Sequence, residues 1–247
     1  MDPVLEQMSA HRSVRRYRSE PVDDGLVERA VSAAQRAATS HAIQAYSLLR
    51  VRDPARRGRL AELCGDQPQV AEAPVFLVVC TDQRRHRLAA MARGAARVDN
   101  LESFLLGVVD AALLAQNLVL ALESQGLGTC YIGGLRNRLP EVDLLLELPH
   151  GVLPLFGLCA GWPADAKGDG PGPPPRMPLA AVLYDERFPD DDHVLEMVAA
   201  HDRESERWYA ARGRPGRTWS ESVTRLFARP ARAHLRAYYE SKGAALD

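Results

Sequence analysis

Apolar residues recur at helical spacing in two N-terminal stretches, first as Val4, Leu5 and Met8, then as Leu26, Val27, Ala30, Val31 and Ala34. This predicts helices over residues 2–11 and 23–38, the second with Asp23 as N-cap. "YSLLRVR" reads as a strand, and "PARRGRLAELCG" as a short helix with Pro54 at its start and Gly65 past its end. "PVFLVVCTD" is a continuous β-branched apolar run, the pattern of a strand buried on both faces. A long helix is expected from Leu101 to Gln125, ending at Gly126. "TCYIGG" and "VLPLFGLCAGWP" supply two further strands around the helix "EVDLLLEL". Helices therefore flank a central sheet without strict βαβ alternation.

The pattern changes after Trp162. "PADAKGDGPGPPPRMP" holds six prolines in sixteen residues, so it forms a surface loop or an extended strap. Beyond it, amphipathic helices are broken at "RGRPGR". Residues 1–162 are expected to form a core, and residues 163–247 a strap and C-terminal helical extension of the same domain.

The 247 residues carry a net charge of −1, so nothing draws the molecule as a whole to nucleic acid or an anionic membrane. The window "FLLGVVDAALLAQNLVLAL" approaches membrane-span length, but Asp110, Gln116 and Asn117 lie inside it. A helix buried in a core or between subunits is the expected reading, with Asp110 a satisfied polar group. No apolar signal segment opens the chain. Cys64, Cys80, Cys130 and Cys159 lack CxxC spacing and read as buried reduced thiols, which suits a cytoplasmic protein.

The usual chemical motifs are missing. "GLGTCYIGG" has Tyr131 in the place of the third glycine of a dinucleotide fingerprint, and the seven histidines show no metal-ligand spacing. No nucleophile with a base partner can be named, so no catalytic residue and no metal is expected. The hard chemistry would belong to a bound cofactor. "HRSVRRYRSEPV" places four arginines among the eight residues from His11 to Arg18. Read alone it is either a solvated, salt-bridged loop or a guanidinium and hydroxyl fork for phosphate, and the first is the commoner outcome.

Several separated segments together carry a resemblance. "HRSVRRYRSEPV", "AATSHAIQAYSLLRV", "CGDQPQVAEAPVFLVVCTD", "LLGVVDAALLAQNLVLALESQGLGTCYIGGLRN", "LPHGVLPLFGLCAGWPAD", "PPRMP" and "YAARGRPGRTWSE" stand in order from about residue 4 to the C-terminus. The set resembles the NADPH nitroreductase A and NADPH flavin reductase branch of the nitroreductase family.

The resemblance implies an α+β fold with a central mixed sheet sandwiched by helices, an intertwined homodimer, and tightly bound FMN at its interface. It assigns His11, Arg12, Ser13 and Arg15 to the flavin's phosphate and pyrimidine end, and Arg176 to the same phosphate. Thr39 and Ser40 would reach the flavin from the partner subunit, with Gln44 close by. Gln67 and Gln69 would lie near the isoalloxazine ring, and the backbone of Tyr131, Ile132, Gly133 and Gly134 along it. Arg212, Arg214 and Arg217 would grip the 2′-phosphate of the co-substrate NADPH. Reduction of a flavin leaves negative charge near N1, which a guanidinium at Arg15 would stabilise.

The implied activity is ping-pong transfer of two electrons from NADPH to nitroaromatics, quinones or free flavin. Rival readings are a flavin reductase serving a partner monooxygenase and a non-catalytic flavin-binding protein. Two departures stand out. Pro174 occupies the place of a phosphate-binding lysine, for which Lys167 is the candidate substitute, and the "RGRPGRTW" loop is shorter than the family's usual form.

Overall fold

The computed structural model describes residues 2–165 and 172–246. They fall into two compact units, one formed by residues 1–166 with 232–247 and the other by residues 167–231.

In the larger unit, α1 (Pro3–Ala10) starts on Asp2 and α2 (Asp24–Ala34) on Asp23, each aspartate accepting a backbone N–H of the first turn. Then follow β1 (Tyr46–Arg50), α3 (Pro54–Leu63), α4 (Pro68–Glu72), β2 (Val75–Asp82) and α5 (Arg84–Ala92). The 23-residue α6 (Leu101–Glu123) opens with a reciprocal cap between Asn100 and Ser103. β3 (Gly128–Ile132), α7 (Leu139–Leu146) and β4 (Val152–Gly161) complete the sheet layer.

The strand order is β1-β2-β4-β3 and every pairing is antiparallel, so the expected mixed sheet is corrected. Among the described residues, one isolated parallel bridge joins Ser13 to Thr129 at the β3 edge. A continuous apolar run reports burial on both faces, and it does not report strand direction.

β2 is buried along its whole length. Its Val75, Leu77 and Val79 join a cluster with α2 and α6, whereas Phe76, Val78 and Cys80 join one with α3 and α7. This alternation is the period of two expected of a sheet packed between two helical layers. α6 buries Ala111, Leu114, Ala115, Leu118, Val119 and Leu122 against the first face. The expected strand "TCYIGG" ends at Ile132, because Gly133–Arg138 turns into a 3-10 helix. Helix α10 (Leu235–Ser241) returns to the larger unit, where Tyr239 donates to the Pro154 carbonyl at 2.9 Å.

The smaller unit contains α8 (Asp191–Ala210), capped by Asp190, and α9 (Trp219–Phe227), capped by Thr218. They are joined across "RGRPGR" with positive φ at Gly213 and Gly216. Asp202 holds the start of α9 by accepting from the Ser220 backbone N–H at 2.8 Å and from its hydroxyl.

Candidate functional site

The arginine segment is pinned to the sheet edge. Val14 donates its N–H to the Thr129 carbonyl at 2.8 Å and is buried, while Ser13 and Arg15 on either side are exposed. Further on, Arg18 N–H donates to the Trp162 carbonyl at 2.9 Å, and the Tyr17 hydroxyl to the Val14 carbonyl at 2.5 Å. Burial pushes the Tyr17 hydroxyl upward; the Cys159 and Cys130 thiols add to this and Arg15 opposes it. Arg15 likewise opposes the upward push that burial exerts on Cys130, which puts its charge beside β3.

Within this segment the arginines divide. Arg16 pairs with Asp165 at 2.7 Å and Arg18 with Glu20 at 3.2 Å. Arg15 has no carboxylate partner among the described residues. His11 Nδ1 lies 2.9 Å from Glu123, and the same carboxylate accepts the Thr129 hydroxyl at 2.7 Å. A cavity of about 580 Å³ is bordered by His11, Arg12, Glu123 and Gly128. Gln67, Tyr131, Gly133 and Gly134 are not among its walls, so it flanks the strand end and does not coincide with it.

At the end of β3, a Cβ on Gly134 would collide with the Cys64 carbonyl and the Gln67 amide. A Cβ on Gly133 would find only the Arg136 guanidinium, at 3.6 Å. Gly134 is thus required by packing, and Gly133 leaves room above the backbone. Gln67 donates to the Cys64 carbonyl at 2.8 Å and accepts from Gln69 at 2.9 Å. Gln67 is half-buried and Gln69 is buried beneath it. Buried Arg57 donates to the Val70 carbonyl at 2.6 Å and the Ala73 carbonyl at 2.5 Å, closing the C-terminal end of α4, while both amides stand at its N-terminal end. Tyr131 presents its ring outward, edge-on to Phe156.

Thr39 and Ser40 lie elsewhere. They precede β1 at the opposite edge of the sheet, where Asp110 accepts the N–H of Ser40 at 3.1 Å and of Ala45 at 3.0 Å. His41, Ala42 and Gln44 all have positive φ, a costly conformation for side chains that carry a Cβ. Ala45 pairs at the level of Asp82, and Thr129 stands opposite Ala160, at the level of Val75. Strand spacing and rise put these corners on the order of 25 Å apart. One protomer therefore brings together Arg12, Ser13 and Arg15 with β3, and Gln67 and Gln69 with Gly134, but it does not bring Thr39 or Ser40 to them.

In the smaller unit Arg212 stacks on Trp208 at 3.5 Å and donates to the Gly172 carbonyl at 2.9 Å. Arg217 lies over Tyr209 at 4.7 Å, and Arg214 is exposed. None of the three has a carboxylate partner among the described residues. Arg176 is exposed and donates to the Pro174 carbonyl at 3.2 Å. Lys167 lies outside the described residues.

Sequence reasoning missed Glu123 and Arg57, whose roles depend on partners distant in the chain. Asp110 was visible as a lone carboxylate in an apolar helix. All four cysteines are free and buried, and no metal-ligating cluster occurs among the described residues.

A helix-flanked sheet with guanidinium, hydroxyl and amide groups at one edge and a bare glycine backbone beside them defines a class: proteins that hold a flat anionic cofactor and leave the chemistry to it. The nitroreductase family model matches residues 8–162, and the model of that family's C-terminal domain matches residues 174–247. The chain is 39% identical to an oxygen-insensitive NADPH nitroreductase of Salmonella typhimurium, over 98% of both chains. It is 36% identical to an FMN reductase (NADPH) of Bacillus subtilis, again over 98% of both. The solved NADPH:FMN oxidoreductase of Vibrio harveyi complexed with NAD+ superposes with a TM-score of 0.87 at 36% identity, covering 98% of each chain. The chain belongs to the nitroreductase family.

Proposed function

We propose that the chain is an FMN-dependent oxidoreductase that takes hydride from NADPH and passes two electrons to nitroaromatics, quinones or free flavin. The observation that carries this reading is the division among the arginines of one segment. Arg15 is held beside β3 without a carboxylate among the described residues, whereas Arg16 and Arg18 are paired with Asp165 and Glu20. The donor set fits FMN: guanidinium and hydroxyl groups for phosphate and pyrimidine oxygens, amides for the ring edge, and open backbone at Gly133 for its face.

When bound, FMN supplies the redox chemistry, accepting hydride and releasing two electrons to the oxidant. Arg15 would place positive charge at the pyrimidine end, and Arg12 and Ser13 would hold phosphate, with His11 fixed by Glu123. Gln67, oriented by Gln69, would meet the ring edge, and the backbone of Tyr131, Ile132, Gly133 and Gly134 would hold its face. Arg214 and Arg217, without carboxylate partners among the described residues, would grip the 2′-phosphate of NADPH, together with Arg212 where it is released from Gly172.

The distance between the two sheet corners supports a homodimer in which Thr39 and Ser40 complete the partner's site. So does α6, which leaves Leu101, Leu105, Val109 and Leu113 exposed at four-residue spacing, one apolar stripe along the helix. The protein is proposed to be cytoplasmic and to form one functional domain per chain.

A second reading, delivery of reduced FMN to a partner monooxygenase, is favoured by the likeness to the B. subtilis FMN reductase. Steady-state kinetics test both. Parallel double-reciprocal lines with NADPH and a nitroaromatic are expected, and intersecting lines would refute alternate use of one pocket. A kcat/KM for free FMN far above that for the nitroaromatic would favour the second reading.

A further inference from the structure

Two arginines of the larger unit, Arg136 and Arg232, stand together beside the glycine backbone that follows β3, and neither is among those assigned to FMN or NADPH. Arg136 Nη1 donates to the Leu155 carbonyl at 2.6 Å. Its Nη2 lies 3.6 Å from the position of a Cβ on Gly133. Arg232 donates from Nε to the Asn137 side-chain oxygen at 3.0 Å, and the Asn137 amide donates to the Cys64 carbonyl at 3.2 Å. Gln67 donates to that same carbonyl at 2.8 Å. His234 closes the group, donating from Nε2 to the Arg136 carbonyl at 3.1 Å. The returning C-terminal segment thus sets a second guanidinium beside the first, one shared carbonyl away from the Gln67 amide.

Both arginines are half-buried, and neither has a carboxylate partner among the described residues. The acids of the following helix α7 are engaged, Glu141 with Arg138 and Asp143 with Lys242. Burial first, and then the charge of Arg136, hold the Arg232 guanidinium below its ordinary range. Tyr239 lies in both fields: burial pushes its hydroxyl up to about 12, and the two arginines oppose that push. A guanidinium keeps its proton in a protein, so the two like charges persist and repel. Arg232 also holds a φ of 55°, a costly conformation for a residue with a Cβ. An anion between the open N–H groups of such a pair relieves the repulsion and accepts from both forks.

We propose that Arg136 and Arg232 determine which oxidant is used, by taking an anionic substituent, such as a carboxylate, of the aromatic acceptor. This rests on the reductase reading and narrows it from any flat acceptor to acceptors that carry negative charge.

Isothermal titration of the oxidised, FMN-loaded protein with benzoate, and separately with its neutral counterpart benzamide, tests the proposal without turnover. Benzoate should bind tighter by roughly fivefold or more. Arg232→Gln, whose lost bond to Asn137 is exposed, should weaken benzoate roughly fivefold to tenfold and leave benzamide within about twofold. Arg136→Gln should act in the same way, and Arg232→Lys, which keeps the charge, should recover part of the loss. In turnover, the ratio of kcat/KM for 4-nitrobenzoate to that for 4-nitrobenzamide should fall by a similar factor in the Gln variants, while the KM for NADPH stays within about twofold. No preference for benzoate in the wild type, or a preference that survives both Gln substitutions, overturns the proposal. So does a KM for NADPH that rises as far as benzoate affinity falls. Bleaching of the flavin by NADPH is followed in the same wild-type samples. Protein that bleaches and is reoxidised by 4-nitrobenzamide, yet does not prefer benzoate, refutes the arginine pair and leaves the reductase reading standing. Protein that NADPH does not bleach fails that reading, and the choice of oxidant falls with it.

Discussion

Asp110 and Glu123 stand thirteen residues apart on α6, and each fixes one corner of the sheet: Asp110 accepts from Ser40 and Ala45, while Glu123 meets His11 and Thr129. Helical rise puts them about 20 Å apart, so one rigid element sets the spacing of the two groups of candidate FMN residues.

Asp110→Ala should leave two backbone donors unmet and destabilise the protein by about 2–4 kcal/mol in urea titrations. The residues with positive φ make this loop depend on that carboxylate. Hydrogen exchange should then lose protection at residues 39–45 and keep it at residues 11–15. Glu123→Ala should give the reverse pattern. Simultaneous loss at both corners in either variant would show that the anchors are not independent.

What the sequence made legible was mostly local. Asp23 and Pro54 mark helix starts and the run at residues 75–82 marks a strand buried on both faces, because caps and periodicity act over a few residues. Helices α4 and α5 escaped notice: α4 has five residues, and α5 is polar and buries nothing completely. The arginine segment could not be judged alone, since the bonds that hold it reach Thr129 and Trp162. The backbone of His41, Ala42 and Gln44 was invisible for a related reason, because nothing in those side chains announces positive φ.

The two glycines after β3 separate packing from cofactor contact. Gly134→Ala should destabilise the apoprotein by about 1–3 kcal/mol through its clash with Cys64 and Gln67. Gly133→Ala has space in the apoprotein and should leave its thermal midpoint within about 1 °C, while weakening FMN binding roughly tenfold. Unchanged FMN affinity in Gly133→Ala would remove this backbone from the flavin's face.

Charge at Arg15 should set the flavin potential. Arg15→Ala is expected to lower it by about 20–45 mV, equivalent to roughly 1–2 kcal/mol for two electrons. Arg16→Ala, which loses an exposed pair with Asp165, should leave it unchanged. Spectroelectrochemistry on both variants measures this, and equal shifts would deny Arg15 a particular position.

Burial raises all four thiols, Cys64 and Cys80 to about 12 from an ordinary value of 9.0. The folded state therefore keeps protons that the unfolded state gives up, and unfolding releases them above about pH 9. This stabilisation is complete below that pH and falls away as pH rises toward about 12. The raised hydroxyls of Tyr17 and Tyr238 act with the same sign. Urea midpoints should decline from about pH 9 upward, and iodoacetamide should react slowly with native protein at neutral pH. Alkylation at the rate of a free thiol would contradict the burial of these cysteines.

The most direct test of the central claim is anaerobic stopped-flow absorbance of the purified protein mixed with NADPH. The account predicts a yellow protein with one FMN per chain whose visible flavin band bleaches in a single two-electron phase and returns on adding a nitroaromatic. A protein that cannot be loaded with FMN, or a loaded one whose band NADPH leaves unchanged, would contradict it.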